Sequence, residues 1–271
     1  MTLLTERSGR VREARKLLRR RGRAKVGLFL AEGPQAVGEA LADTTRQPVV
    51  ELFASPSAAV RWSGLVDRAL EAGVPVHHAE DRALATLSET VTPQGLVAVC
   101  RSVTVGLDDA VPAGSTLVTV LAEVRDPGNA GTVIRCSDAA GADALILTAG
   151  SVDPQGGKSV RASAGSLFHL PVATEVAASD AAVALRERGL VLLAADAAAR
   201  LDLDDADASG LLARPTAWVF GNEASGLGAE LAGLVDEAVR IPIYGRAESL
   251  NLAAASAVCL YASARAQRRS G

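Results

Sequence analysis

Short apolar runs alternating with helix-length segments constrain this chain more than any other feature. The pattern occurs twice. In the first series, runs at 28–31, 49–54, 74–78 and 96–100 predict strands, with helices over 34–42 (opened by Gly33-Pro34), 57–72 (closed by Gly73) and 81–87. Residues 104–115 (TVGLDDAVPAGS) break the pattern with Gly, Pro and acids and predict a linker. In the second series, strands are predicted at 117–122, 144–148, 191–195, 217–221 and 238–241, with helices near 132–140, 181–188 and 250–266. Strands separated by helices build a parallel sheet covered on both faces. The expected fold class is therefore α/β: a small α/β domain over 1–103, a linker over 104–115 and a parallel-sheet, Rossmann-like domain over 116–271. In such sheets ligands bind beyond the carboxyl ends of the strands, so the loops there are where chemistry is sought.

Composition narrows the partners. Aromatic residues make up only 3% of the 271 residues, which leaves few rings for stacking on bases. The net charge is −3, yet residues 1–27 carry ten Lys/Arg against Glu6 and Glu13, a charge of +8, so the remainder carries −11. A basic arm on an acidic body is the asymmetry of a chain that reaches for phosphates, while a solvated helix accounts for the same charges without any ligand. Cys100, Cys136 and Cys259 are odd in number and far apart, so no disulfide framework follows and a reducing, cytoplasmic compartment is expected. No apolar run approaches the roughly 20 residues that span a bilayer, and no membrane association is expected. His77, His78 and His169 lack metal-ligand spacing, and no metal is expected.

Three tempting signatures fail. Gly156-Gly157-Lys158-Ser159 ends like a phosphate-binding loop, but Val152 stands where its first glycine belongs. Gly226-Leu227-Gly228 begins a dinucleotide fingerprint that stops at Leu231. Neither Ser163 nor Ser225 sits in the G-x-S-x-G frame of a hydrolase elbow.

Three loops at predicted strand ends carry polar residues that loop-building alone does not require. They are Glu123-Val124-Arg125-Asp126-Pro127-Gly128-Asn129-Ala130-Gly131, followed by Arg135; Gly221-Asn222-Glu223-Ala224-Ser225-Gly226-Leu227; and 241–252 (IPIYGRAESLNL). In order, spacing and strand-loop-helix context, across 117–262, they resemble the three motifs of the SpoU/TrmH RNA 2′-O-methyltransferases of the SPOUT superfamily. Upstream, Phe29-Leu30-Ala31-Glu32-Gly33 between helices is similar to that family's N-terminal substrate-binding domain.

The resemblance implies a deep trefoil knot, a homodimer, S-adenosylmethionine as cofactor and methyl donor, and structured RNA as substrate, ribosomal RNA before tRNA. It implies catalytic-site roles for Asn129, Arg135, Glu223, Ser249 and Asn251, and contacts to the adenosyl group from Ala195, Gly221, Ile241 and Leu250. Each has a plainer reading beside it. Asn129 and Ser249 are plausible helix caps, Glu223 suits a helix N-terminus, and a glycine after a strand is a common turn. In the family the arginine matching Arg135 is proposed as a base. A guanidinium is effectively always protonated, so clamping an RNA phosphate and stabilising the developing alkoxide is the safer role. An arginine on a sheet-flanking helix is also expected to have a partner. Arg15, Arg19, Arg20 and Arg23 in the arm, with Lys158 and Arg161 in the segment GKSVRASAG, are the expected RNA contacts. The rival readings are a non-catalytic RNA-binding or ribosome assembly factor of the same fold, and methylation of a base instead of a ribose.

Overall fold

A computed structural model of the protein describes residues 3–222 and 226–270. The chain divides into two compact units, residues 1–103 with 153–169, and residues 104–152 with 170–271.

In chain order the first unit holds helices α1 (Gly9–Arg15) and α2 (Arg20–Val26), strand β1 (Leu28–Glu32), α3 (Pro34–Ala42) and β2 (Val49–Ala54). There follow α4 (Pro56–Arg61), α5 (Ser63–Glu71), β3 (Val76–His78), α6 (Asp81–Ala85) and β4 (Leu96–Arg101). The four strands form one sheet in the order β1-β4-β2-β3, with β4 antiparallel to both neighbours and β2 parallel to β3. Val11, Ala14 and Leu17 cover this sheet by packing with Leu30, Phe53, Val97 and Val99. The helix expected over 57–72 is two helices, because the backbone leaves helical geometry at Trp62 (φ −116°, ψ 36°).

The second unit begins with β5 (Thr104–Val105), α7 (Leu107–Ala110) and β6 (Leu117–Leu121), so the segment read as a linker carries a short strand and a helical turn. Helix α8 (Pro127–Ala140) and β7 (Ala144–Thr148) follow. The chain then enters the first unit through α9 (Gly157–Ser163) before returning with β8 (Val172–Val176). The remaining elements are α10 (Ala178–Glu187), β9 (Val191–Ala195), β10 (Leu201–Asp202), α11 (Leu203–Ala208), β11 (Thr216–Phe220), α12 (Ala229–Ala232), β12 (Glu237–Arg240) and α13 (Leu252–Ser270).

Among the described residues the second unit's strands form one sheet, ordered β10-β12-β9-β11-β6-β7-β8-β5, in which every neighbouring pair is parallel. Both edges end in two-residue strands, which limits the unpaired backbone offered to other chains. Side chains alternate between the faces. Val118, Val120, Ala217 and Val219 face one way and pack with Ala181, Ala182 and Leu185 of α10. On the opposite face the Thr119 and Ser137 hydroxyls bond at 2.8 Å, fixing α8 to β6, and Trp218 Nε1 donates to Ser263 Oγ at 2.8 Å, fixing α13 to β11. Covered on both sides, β6, β7 and β11 are buried along their whole length, which is why they read as continuous apolar runs.

Strand order places the site. From β6 the chain lays β7 and β8 outward on one side. It then crosses to β9 on the other side, leaving a gap that β11 fills. Such a reversal opens a crevice at the carboxyl ends of the central strands.

Candidate active site

Loop 122–126 leaves β6 in a conformation that L-residues rarely adopt. Glu123 has φ +51°, held by its N–H donating to Thr148 Oγ1 at 3.0 Å, while the Val124 carbonyl accepts the Val152 N–H at 2.8 Å. The Glu123 carbonyl accepts Asn222 Nδ2 at 2.8 Å, which ties the loop after β6 to the loop after the adjacent β11. Asp126 caps α8: its Oδ1 accepts the Asn129 N–H at 2.8 Å, and Pro127 supplies the first helical position. Helix α8 thus starts five residues before the expected 132. Asn129 lies inside its first turn and is not the cap.

After β11 the chain turns back on itself. Asn222 and Gly226 exchange backbone hydrogen bonds at 2.9 and 2.8 Å, and Gly226 has φ +66°. A Cβ on Gly221 would lie 2.4 Å from the Gly226 carbonyl carbon and 2.6 Å from the Leu227 nitrogen, so only glycine permits this closure. Glu223, assigned a catalytic role from the sequence, lies outside the described residues.

The third loop, 241–251, is tethered at Tyr244, whose hydroxyl donates to Asp204 Oδ2 at 2.9 Å. That hydrogen bond and the negative charge of Asp204 push the phenol above its usual range. The loop ends where Asn251 Oδ1 accepts the Ala254 N–H at 2.8 Å. Asn251, and not Ser249, caps α13.

A cavity of about 880 Å³ opens between these strand ends. Ala195, Gly221, Ser249, Leu250 and Asn251 line it together with Asn222 and Leu227. The size suits a nucleoside-sized ligand. Ala194, Ala195, Ala197 and Gly221 carry no side chain larger than a methyl, which leaves room at these positions for main-chain groups to read a flat heteroaromatic edge. Three of the four positions matched to the adenosyl group therefore line this cavity. The fourth, Ile241, follows β12 directly and is not among the lining residues. Asn129 and Arg135 also stand outside the lining. Asn129 is at the sheet's carboxyl edge, and Arg135 is six residues further along α8, about 9 Å by helical rise. Arg135 is exposed, with no ion pair among the described residues, so the partner expected for a buried arginine is not needed.

The basic residues separate into two groups. Arg23 is buried and bonds Asp153 through Nη2 at 2.7 Å, while its Nη1 donates to the Leu17 and Leu18 carbonyls. Arg161 bridges Glu32 at 3.0 Å and Glu89 at 4.0 Å. Internal carboxylates account for both. Arg15, Arg19, Arg20 and Lys158 are exposed. Asp196 was not singled out from the sequence, because an Asp after a strand reads as an ordinary turn; the cavity shows its position. Among the described residues no group of His, Cys, Asp and Glu is arranged to hold a metal ion, and no helix is long and apolar enough to cross a membrane.

The model of the SpoU rRNA methylase family matches residues 116–261, and that of the MRM3-like substrate binding domain matches residues 9–98. The chain belongs to the SpoU rRNA methylase family. Among SpoU-type relatives, it is 32% identical to the 23S rRNA (guanosine(2553)-2′-O)-methyltransferase RlmP of Bacillus subtilis, over 93% of this chain and 94% of the other. It is 33% identical to the 23S rRNA (uridine(2479)-2′-O)-methyltransferase of Streptomyces viridochromogenes, over 99% and 93% of the two chains. The crystal structure of an AdoMet-bound rRNA methyltransferase from Sinorhizobium meliloti superposes with a TM-score of 0.83 at 30% identity, covering 97% of each chain.

Proposed function

We propose that this chain transfers a methyl group from S-adenosylmethionine to a ribose 2′-hydroxyl of ribosomal RNA. The observation that carries the reading is the cavity at the carboxyl edge of the parallel sheet, lined by residues from two of the three motif loops and joined to the first by the Asn222–Glu123 bond. The fit to the donor rests on Gly221. Its missing Cβ leaves room for the Gly226 carbonyl and the Leu227 nitrogen to approach the end of β11, on the cavity lining.

When bound, the donor supplies an electrophilic methyl on a sulfonium sulfur. The chain's own residues supply position and electrostatics. Ala195, Gly221 and Leu250 hold the adenosyl group along the strand ends, and Ile241 supports the third loop as it leaves β12. Ser249 and the main chain of Asn251 border the ribose that receives the methyl; the Asn251 side chain also fixes the start of α13. Asn129 orients the substrate at the first turn of α8, and Glu223 of the second motif takes part in the same reaction. The Arg135 guanidinium clamps the RNA phosphate next to the target ribose and stabilises the oxygen as it becomes anionic, its proton passing to solvent as the methyl moves from the sulfonium sulfur to that oxygen.

Residues 1–103 recruit the RNA, with Arg15, Arg19 and Arg20 contacting phosphates without sequence preference, and Lys158 adding a further contact. Arg23 and Arg161 serve the first unit's own stability. The enzyme acts as a homodimer with the family's knotted catalytic region, in the cytoplasm where ribosomes are assembled. Val258 and Tyr261, 40% and 45% exposed on α13, are the apolar surface that supports pairing.

The test is to incubate the protein with methyl-labelled donor and either deproteinised ribosomal RNA or tRNA from cells lacking the enzyme. Label entering ribosomal RNA supports the reading. Label entering only tRNA moves the substrate, and RNA binding without label identifies an assembly factor.

A further inference from the structure

Asp196 stands one residue beyond β9, at the carboxyl edge of the sheet, and lines the cavity. Among the described lining residues it is the one ionisable side chain; the others are apolar, glycine or neutral polar. Its placement is fixed twice. The Asp196 N–H donates to the Val239 carbonyl at 3.0 Å, and its Oδ1 accepts the Ala198 N–H at 2.9 Å. This turn holds the carboxylate in one orientation, and no ion pair engages it among the described residues. A turn of this kind needs one oxygen acceptor, which Asn or Ser also provides. A full negative charge on the wall of an otherwise uncharged cavity goes beyond that requirement.

Its position in the sheet limits what the charge can do. Strand β11 separates β9 from β6, whose loop leads to Asn129 and Arg135. Two strand spacings put Asp196 about 10 Å from that loop's root. It is next to Ala195 and lines the same cavity as Gly221, the positions assigned to the adenosyl group.

Resting on the donor reading above, we infer that Asp196 is a positioning residue that accepts hydrogen bonds from the vicinal hydroxyls of the donor's ribose. A diol offers two O–H donors, and an ionised carboxylate accepts them in short, charge-assisted bonds. Main-chain groups read the adenine edge but leave the nucleoside free to slide along the wall. A carboxylate fixed by its own turn stops that movement and sets the depth at which the reacting end projects. The same charge could instead meet the donor's ammonium group, and the choice of ligands separates the two.

The experiment is calorimetric titration of the full chain and of Asp196→Asn, in which the amide oxygen keeps the bond to Ala198 and the charge is removed. The ligands are S-adenosylmethionine, 5′-methylthioadenosine, which has the ribose but no amino acid, and the 2′,3′-dideoxy counterpart of methylthioadenosine. The substitution is expected to weaken the first two alike, by about 10- to 100-fold, and the dideoxy ligand by less than about threefold. A loss confined to S-adenosylmethionine places the carboxylate at the ammonium group and overturns the proposal. Wild-type affinity of the variant for all three overturns it as well, leaving the donor reading intact. Failure of the wild-type chain to bind the donor removes both.

Discussion

At the scale of single residues, the proposed function gives Gly221 and Arg135 different tasks, which substitutions can separate. Gly221→Ala would put a methyl 2.4 to 2.6 Å from backbone atoms that cannot rotate away, so the turn must open and the cavity wall must move. Donor affinity measured by titration is expected to fall at least about tenfold. Arg135→Ala removes an exposed side chain outside the cavity lining, so donor affinity should stay at the wild-type level while methyl transfer is lost by about 100-fold or more. Turnover near wild type would remove Arg135 from the reaction. The motif residues were legible in the sequence because their order and spacing are unusual; what each side chain does locally was not. Capping illustrates the difference. Asn129 and Ser249 are good cap types next to helices, but the caps are Asp126 and Asn251, and only the turn geometry decides between neighbours two or three residues apart. The charges of Arg23 and Arg161 could likewise be counted from the sequence, whereas the carboxylates that hold them, Asp153, Glu32 and Glu89, are far away along the chain.

Elements covered on both faces were the easiest to read, since β6, β7 and β11 bury every residue and stand out as apolar runs. Short or half-covered ones were missed. β8 carries Thr174 and Glu175 on a five-residue strand, and β5 and β10 have two residues each, too few for any periodicity. The start of α8 was missed because Pro127-Gly128 reads as a loop, although Pro suits a first helical turn once Asp126 caps it. The attachment of α13 makes a stability prediction. Ser263→Ala leaves the fully buried Trp218 Nε1 without its partner, which is expected to cost about 1–3 kcal/mol in urea unfolding. A second concerns β9. Burial opposes ionisation of Asp236, but the Leu192 N–H and the Arg186 guanidinium outweigh it and hold the carboxyl below its ordinary value. The contribution is therefore present above the usual carboxylate range and is lost as pH falls through the lowered value. The stability difference between wild type and Asp236→Asn should shrink as unfolding is measured from pH 7 down towards pH 3.

At the scale of the whole molecule, charge is divided unevenly along the chain. The arm within residues 1–27 is +8 on an otherwise acidic chain, so phosphate contact should govern RNA affinity and its salt dependence. Replacing Arg15, Arg19 and Arg20 together with Gln is expected to weaken binding of ribosomal RNA and to flatten the slope of log affinity against log salt by about 2 to 3, with donor affinity unchanged. An unchanged slope would place the RNA on another surface. The central claim is that the cavity at the sheet's carboxyl edge sets a methyl group against a sugar oxygen, not a base. Mass spectrometry of nucleosides from RNA methylated by the purified protein tests it most directly. The account predicts one 2′-O-methylnucleoside, in a linkage that resists alkaline cleavage; a base-methylated nucleoside, or none with donor and RNA both bound, would contradict it.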